Sequence, residues 1–178
     1  WLDEAKKIAH YYTGEVKVPF VENRSAFITA SSGTTIGGTV KGTVATNEGT
    51  IIHMQMGKTS GIQYFPGDRC LDQLPPTIST SFNVLFFYAL YNGMTVLIDP
   101  RVSEKDFYNQ IVNLKPNMAL TTGSAWEAFF NRVEKEMRQG KKFDFSCAKA
   151  WTVGGEGTDV KKYKQWMDIM QKAHATNK

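Results

Sequence analysis

From residue 26 onward, short apolar runs alternate with longer segments whose apolar positions recur every three or four residues. The runs at 26–30 (AFITA), 69–75 (RCLDQLP), 94–99 (MTVLID), 117–122 (NMALTT) and 148–153 (AKAWTV) are short and apolar on both faces, a strand pattern. Between and after them lie helical patterns around 47–57, at 80–92, 103–115, 124–139 and 158–173. Ser103 stands as an N-cap with Asp106 three residues on, close to a capping box. Gly140 follows the fourth helix where a left-handed stop is expected. In the last helix Val160, Tyr163, Met167 and Met170 fall at three- and four-residue steps and predict one apolar face. Pro75 and Pro76 break the run that contains them.

Strand and helix alternating at intervals of about 25 residues imply right-handed βαβ units. The expected fold is a three-layer α/β domain, a largely parallel sheet with helices on both faces. Residues 1–25 read as a leading helix (2–12) and a polar connection holding Pro19, and residues 26–178 as the α/β subdomain. There is no internal sequence repeat and no low-complexity tract.

Composition adds limits. The chain has 178 residues, 42% hydrophobic and 21% charged, with a net charge of +4. That suits an ordinary globular domain. Its lysines cluster on helix faces (161–164, 138–142) without interleaved aromatic residues, which argues against a nucleic-acid partner. No apolar run approaches the roughly 20 residues of a membrane span. Cys70 and Cys147 lie far apart and read as reduced buried thiols of a cytoplasmic protein. The chain begins at Trp1 and reads as a piece of a longer polypeptide.

Sites in such sheets lie beyond the carboxyl ends of strands. The loops at 31–46, 75–80, 122–124 and 154–158 qualify, and the first and last are glycine-rich. The stretch 28–42, ITASSGTTIGGTVKG, joins glycines to hydroxyl side chains and one lysine. Glycine lets backbone N–H groups approach an anion, hydroxyls add donors, and Lys41 adds positive charge, a combination that suits a polyphosphate. A surface loop of no function has the same composition. The Walker A pattern fails, because Thr39 stands where its lysine belongs, and no G-x-G occurs here for a dinucleotide fingerprint. His10, His53 and His174 are scattered without metal-ligand spacing, and no G-x-S-x-G elbow exists. Asp72 and Asp99 end or interrupt strands and could polarise a bound group, but each reads more readily as a turn residue. Trp126, Trp151, Trp166 and the phenylalanines at 82, 86, 87, 129 and 130 read as packing. The stretch 121–126 (TTGSAW) ends a strand and could border a pocket, but Thr122 and Ser124 read more readily as helix-cap residues.

The same loop resembles a signature of the adenylate-forming (AMP-binding) enzyme superfamily: acyl-CoA synthetases, nonribosomal peptide adenylation domains and luciferase-like enzymes. Its pattern is roughly [ST]-S-G-[ST]-T-G-x-P-K-G. Residues 31–35 (SSGTT) match its first half and 41–42 (KG) its end. Three further stretches follow in the family's order: 66–76 (PGDRCLDQLPP), 90–122 and 150–160 (AWTVGGEGTDV). Between the two halves of the loop this chain has IGGTV, longer than the family's usual spacing, and Val40 replaces the proline.

The resemblance implies a central fragment of the large N-terminal domain of an ATP-dependent carboxylate-activating ligase. It implies ATP with Mg2+, a carboxylic acid substrate, and coenzyme A or a carrier protein's phosphopantetheine as thiol acceptor. It implies phosphate binding by Ser32, Gly33, Thr34, Thr35, Gly37, Gly38, Lys41 and Gly42. It places Gly154, Gly155 and Glu156 against the adenine and acyl pocket. A structural turn, with Glu156 favouring a helix N-terminus, fits the last three equally well. The family's magnesium glutamate, ribose aspartate and late lysine have no match here, so catalytic residues are expected in the remainder of the parent polypeptide and the fragment alone is expected to be inactive. The longer loop also admits a non-catalytic nucleotide-binding or scaffolding module.

Overall fold

The computed structural model describes residues 23–30, 42–56, 64–74, 78, 80–98, 103–155 and 157–173. Four short strands form a parallel sheet: β3 (Arg69–Asp72), β4 (Thr95–Ile98), β5 (Met118–Thr121) and β6 (Ala150–Val153), in the order β4-β3-β5-β6. Cys70 lies beside Met118 and Leu71 beside Ala119, while Met118 lies beside Ala150. Helices α3 (Glu104–Leu114), α4 (Gly123–Arg138) and α5 (Val160–Lys172) follow β4, β5 and β6. The expected α/β architecture with a parallel sheet is present.

Alternation along β3 separates two cores, because successive strand side chains point to opposite faces. Leu71 packs with Phe107 and Ile111 of α3, Trp126, Phe129 and Val133 of α4, and Trp166 and Ile169 of α5. Cys70 packs on the other face with Leu85, Tyr88, Ala89, Met94 and Met118. The first core is dominated by aromatic rings. Trp126 stacks on Trp151 at 5.5 Å between centroids, and Phe130 stacks on Trp166 at the same spacing. Buried Trp126 and half-buried Trp151 both find acceptors, Trp126 Nε1 donating to Thr152 O at 2.8 Å and Trp151 Nε1 to Pro116 O at 3.0 Å. Burial of these rings therefore strands no N–H group.

The caps are as read from sequence for Ser103, whose hydroxyl accepts from Asp106 N at 3.1 Å. Thr122 caps α4 through Ala125 N, and Asp159 caps α5 through Lys161 N. Gly140, with φ of 91°, stops the chain just past α4. At the amino edge of the sheet Asn117 accepts from Arg69 N and donates to Cys147 O, tying β3 to the approach of β6.

Three expectations are corrected. Residues 26–30 do not join the parallel sheet. Strand β1 (Ser25–Ala30) pairs antiparallel with β2 (Gly42–Thr46), which the sequence reading had placed inside a loop. A connection too short for a crossover helix permits only antiparallel pairing, and the β-branched run Thr43–Val44 suits a strand. This ribbon leads into α1 (Asn47–Met56), as predicted. Ribbon residues such as Ile28 stay largely exposed, at 69%.

The helix expected at 80–92 is π-helical over Thr80–Phe87 and becomes α2 only at Tyr88–Tyr91. Bonding from i to i+5 aligns residues five apart. Phe82 and Phe87 accordingly meet at 4.6 Å, and Phe27 of β1 packs on both, at 5.3 and 5.9 Å. The aromatic wedge is what docks the ribbon.

The apolar face of α5 is also rotated from the expected one. Trp166, Ile169 and Met170 are buried, whereas Val160 and Tyr163 are exposed. Trp166, with its large ring, takes the sheet-facing position and turns the Val160–Tyr163 side outward.

Candidate functional site

The carboxyl edge of the sheet is built by the ends of β3, β5 and β6 and the loops that leave them. The β6 turn shows why two glycines stand together. Gly154 donates its N–H to Thr121 O at 3.0 Å, continuing the β5–β6 ladder by one rung. A Cβ on Gly154 would meet Leu120 Cδ2 at 3.3 Å, so its smallness serves close approach. Gly155 has φ of 82° with open space where a Cβ would go, so it serves the bend itself. The turn sits where ligands bind in open α/β sheets. Glu156 lies outside the described residues.

Next to this turn a cleft of about 200 Å³ opens between the amino ends of α4 and α5. Gly123, Ser124, Gly157, Thr158 and Asp159 line it, and Lys162 Nζ bonds Glu127 Oε2 at 2.7 Å there. Helix amino ends present partial positive charge and unpaired N–H groups. The Thr158 hydroxyl is buried with no partner among the described residues. Thr122 is a helix cap, as read from sequence; its hydroxyl also meets that of Ser124 at 3.0 Å. The cleft is thus polar, lined by hydroxyls, two carboxylates and one lysine.

At the end of β3, Asp72 is not a turn residue. It is a strand residue only 6% exposed. Its Oδ2 accepts from Ser81 Oγ at 2.9 Å, at the start of the π-helical segment, and Oδ1 has no partner among the described residues. Burial pushes this carboxyl up from its ordinary value, against the lowering effect of the Ser81 hydroxyl and the Leu74 N–H. One rung back, burial and the neighbouring Asp72 push the Cys70 thiol up to about 12, so it is an inert packing group. The sequence signal for Asp72 was present only as a carboxylate inside an apolar strand. Thr158 was marked only by its place in the 154–158 loop.

Of the phosphate-loop candidates, Ser32, Gly33, Thr34, Thr35, Gly37, Gly38 and Lys41 lie outside the described residues. Gly42 begins β2 opposite Ala30, where a Cβ would press on Ile28 Cγ2 at 3.2 Å. The structure therefore gathers Gly154, Gly155, Ser124 and Thr158 at one edge, and places Gly42 at the loop end of the ribbon. Among the described residues no three His, Cys, Asp or Glu side chains converge on a point that could hold a metal ion. Magnesium coordination accordingly finds no donor set among them.

The comparisons agree with this geometry. A family profile described as "AMP-binding enzyme" matches residues 2–177. The chain belongs to that family. No curated protein matches it. Among solved structures it resembles McyG A-PCP complexed with phenylalanyl-adenylate, with TM-score 0.73, 16% identity, and coverage of 95% of this chain and 30% of the other. It also resembles the N-terminal domain of FACL13 from Mycobacterium tuberculosis (TM-score 0.69, 18% identity, 92% and 39% coverage). A third is a long-chain-fatty-acid-CoA ligase, FadD1, from Archaeoglobus fulgidus (TM-score 0.65, 17% identity, 86% and 29% coverage). At these identities the likeness establishes the fold. The chain spans 29% to 39% of the lengths of these three proteins. No helix among the described residues is long and apolar enough to cross a membrane.

Proposed function

We propose that this chain is the central portion of an ATP-dependent enzyme that activates a carboxylic acid as its adenylate and passes the acyl group to a thiol, of coenzyme A or of a carrier protein's phosphopantetheine. The observation that carries the reading is the family match over 2–177, within which a glycine pair turns at the carboxyl edge of β6. A carboxylate oxygen attacks the α-phosphorus of ATP. One P–O bond forms, the bond to pyrophosphate breaks, and pyrophosphate leaves with the electron pair. Little covalent chemistry falls to protein side chains, so positioning and charge neutralisation supply the rate.

In this reading Ser32, Thr34 and Thr35 donate to the β- and γ-phosphates while Gly33, Gly37, Gly38 and Gly42 admit the backbone to them. Lys41 is the positive clamp. Gly154 and Gly155, bearing no side chains of their own, lie along the adenine, and Glu156 borders the acyl pocket. Magnesium, when bound with ATP, would neutralise phosphate charge using donors from the rest of the enzyme. The fragment alone is expected to be inactive.

The test is pyrophosphate exchange by the parent protein across a panel of carboxylic acids. Exchange with at least one acid is expected, falling by about 10²-fold or more in Lys41→Ala, the scale of losing one charge-stabilising donor. Folded protein silent with every acid overturns the reading. The longer 36–40 stretch favours a second reading, a nucleotide-binding module without turnover; calorimetry showing ATP binding with no adenylate formed would select it.

A further inference from the structure

Buried polar side chains gather toward one edge of the sheet. Among the described residues they are Asp72, Gln73, Ser81, Gln110 and Thr121. Asp72 and Thr121 end β3 and β5 at the carboxyl edge, and Gln73 follows Asp72 directly. Gln73 Nε2 donates to Gln110 Oε1 at 2.9 Å, and Ser81 Oγ donates to Asp72 Oδ2 at the same distance. Of the five, only Asp72 keeps a fully buried atom without a partner among the described residues, its Oδ1. No lysine, arginine or histidine among those residues offsets its charge. A carboxylate oxygen buried without a donor costs stability, and an apolar side chain would fill the position at lower cost. The carboxylate therefore points to a donor that arrives from outside the fold.

The surroundings of Asp72 show where that donor comes from. Asp72 shares a sheet face with Cys70, two residues earlier. The core on that face closes around Cys70 with Leu85, Met118, Val96 and Leu120. It stops there, because Ile98, the β4 neighbour of Asp72, is 67% exposed. On the other side, Leu120 of β5 presents Cδ2 at 3.3 Å from the place where a Cβ on Gly154 would stand. Asp72, Leu120 and Gly154 thus follow one another across β3, β5 and β6 at the carboxyl edge. Two strand spacings separate the ends of this row, about 10 Å.

On the reading of the chain as part of a carboxylate-activating enzyme, we infer that Asp72 is a specificity residue for the acid, its Oδ1 accepting a hydrogen bond from a hydroxyl or amino group that the acid carries. An acyl group lying over Leu120 from the glycine turn brings its far end to Asp72. Ser81 holds the carboxylate in place through Oδ2 and leaves Oδ1 for the substrate. A plain acid of the same shape would strand that oxygen.

The experiment measures pyrophosphate exchange by the parent protein with its acid panel arranged in matched pairs, hexanoate and benzoate among them, each against its hydroxy and amino derivatives. The wild type is expected to favour a donor-bearing acid over its plain counterpart by about 10²-fold or more in kcat/KM, because a buried acceptor left unpaired penalises the plain acid. The hydroxy and amino arms tell which donor is taken. In Asp72→Leu the ratio falls toward one through loss of the favoured acid, and Asp72→Asn, which keeps an acceptor oxygen, retains part of it. Equal turnover of plain and substituted acids by the wild type overturns the inference while the proposed function stands. A preference that survives unchanged in Asp72→Leu does the same. Folded wild type silent with every acid overturns both. The wild-type ratios decide the outcome even where Asp72→Leu fails to fold.

Discussion

The two faces of the parallel sheet are built to different rules. One is covered by α3, α4 and α5 over a continuous ring core in which Phe107, Trp126, Phe129 and Phe130 touch edge to face or stacked. The other is covered by a π-helical segment and a single α turn, over the smaller group around Cys70, Leu85 and Tyr88. The first face pairs its buried polar groups, Gln110 accepting from Gln73 and Tyr108 donating to Glu136, beside indoles that find acceptors. The second admits the Asp72–Ser81 pair beside its core, with one carboxylate oxygen unpartnered among the described residues. One face holds the sheet together. The other carries the polar irregularity found near sites.

Substitutions can break that contrast. Phe129→Ala should cost about 3–5 kcal/mol, the range for deleting a buried ring, and Leu85→Ala on the thinner face about 2–3 kcal/mol. Urea titrations of both variants check the order, and equal losses would mean that the two cores are equivalent. At the carboxyl edge, Gly155→Ala should cost about 1–2 kcal/mol because its φ forces a side chain into the left-handed region. Gly154→Ala should cost less, since the atom it meets is the end of a leucine that can move.

Smaller effects appear as pH dependence. Glu136 accepts from Lys141, Tyr108 and Arg132 and joins α4 to α3, and these bonds hold its carboxyl near pH 2, down from 4.5. A depressed carboxyl stabilises the fold above its ordinary value, and that contribution is lost as pH falls from 4.5 toward about 2. Wild type should therefore lose more stability than Glu136→Gln over that window. Asp72 has the opposite sign. Its raised value means a cost that is present above the folded pKa and relieved as pH falls toward the ordinary 3.8. Relative to Asp72→Asn, wild type should gain stability on acidification, read from urea midpoints across the same pH series. Parallel curves would remove Asp72 from the list of strained groups.

Much of the covered face was legible. The periods at 103–115 and 124–139 reported real helices with their caps, because their apolar stripes are buried against one neighbour and their hydroxyl caps act within three residues. The β6 glycine pair was legible as a turn for the same reason. The thinner face was not. Residues 80–92 read as one helix, and nothing local distinguishes i→i+4 from i→i+5 bonding when every side is apolar. The ribbon was misread because a glycine- and threonine-rich strand has the composition of a loop until a partner strand pairs with it.

Asp72 shows the limit for sites. A carboxylate in a strand is a turn residue or a buried polar group depending on what lies above it, and Ser81 folds back over it from the start of the π-helical segment. The rotated face of α5 has the same cause. Its stripe was visible as a period, but which side of it met the sheet depended on the volume of Trp166 against Phe130.

By itself, the sequence determined the alternation of strand and helix, the family signature and the helix ends, all set by interactions among residues a few positions apart. Tertiary structure alone decided the antiparallel pairing of the ribbon, the π-helical wedge under Phe27, the burial of Asp72 and the rotated face of α5. Those depend on which distant surface each segment meets, and a one-dimensional pattern does not carry that geometry.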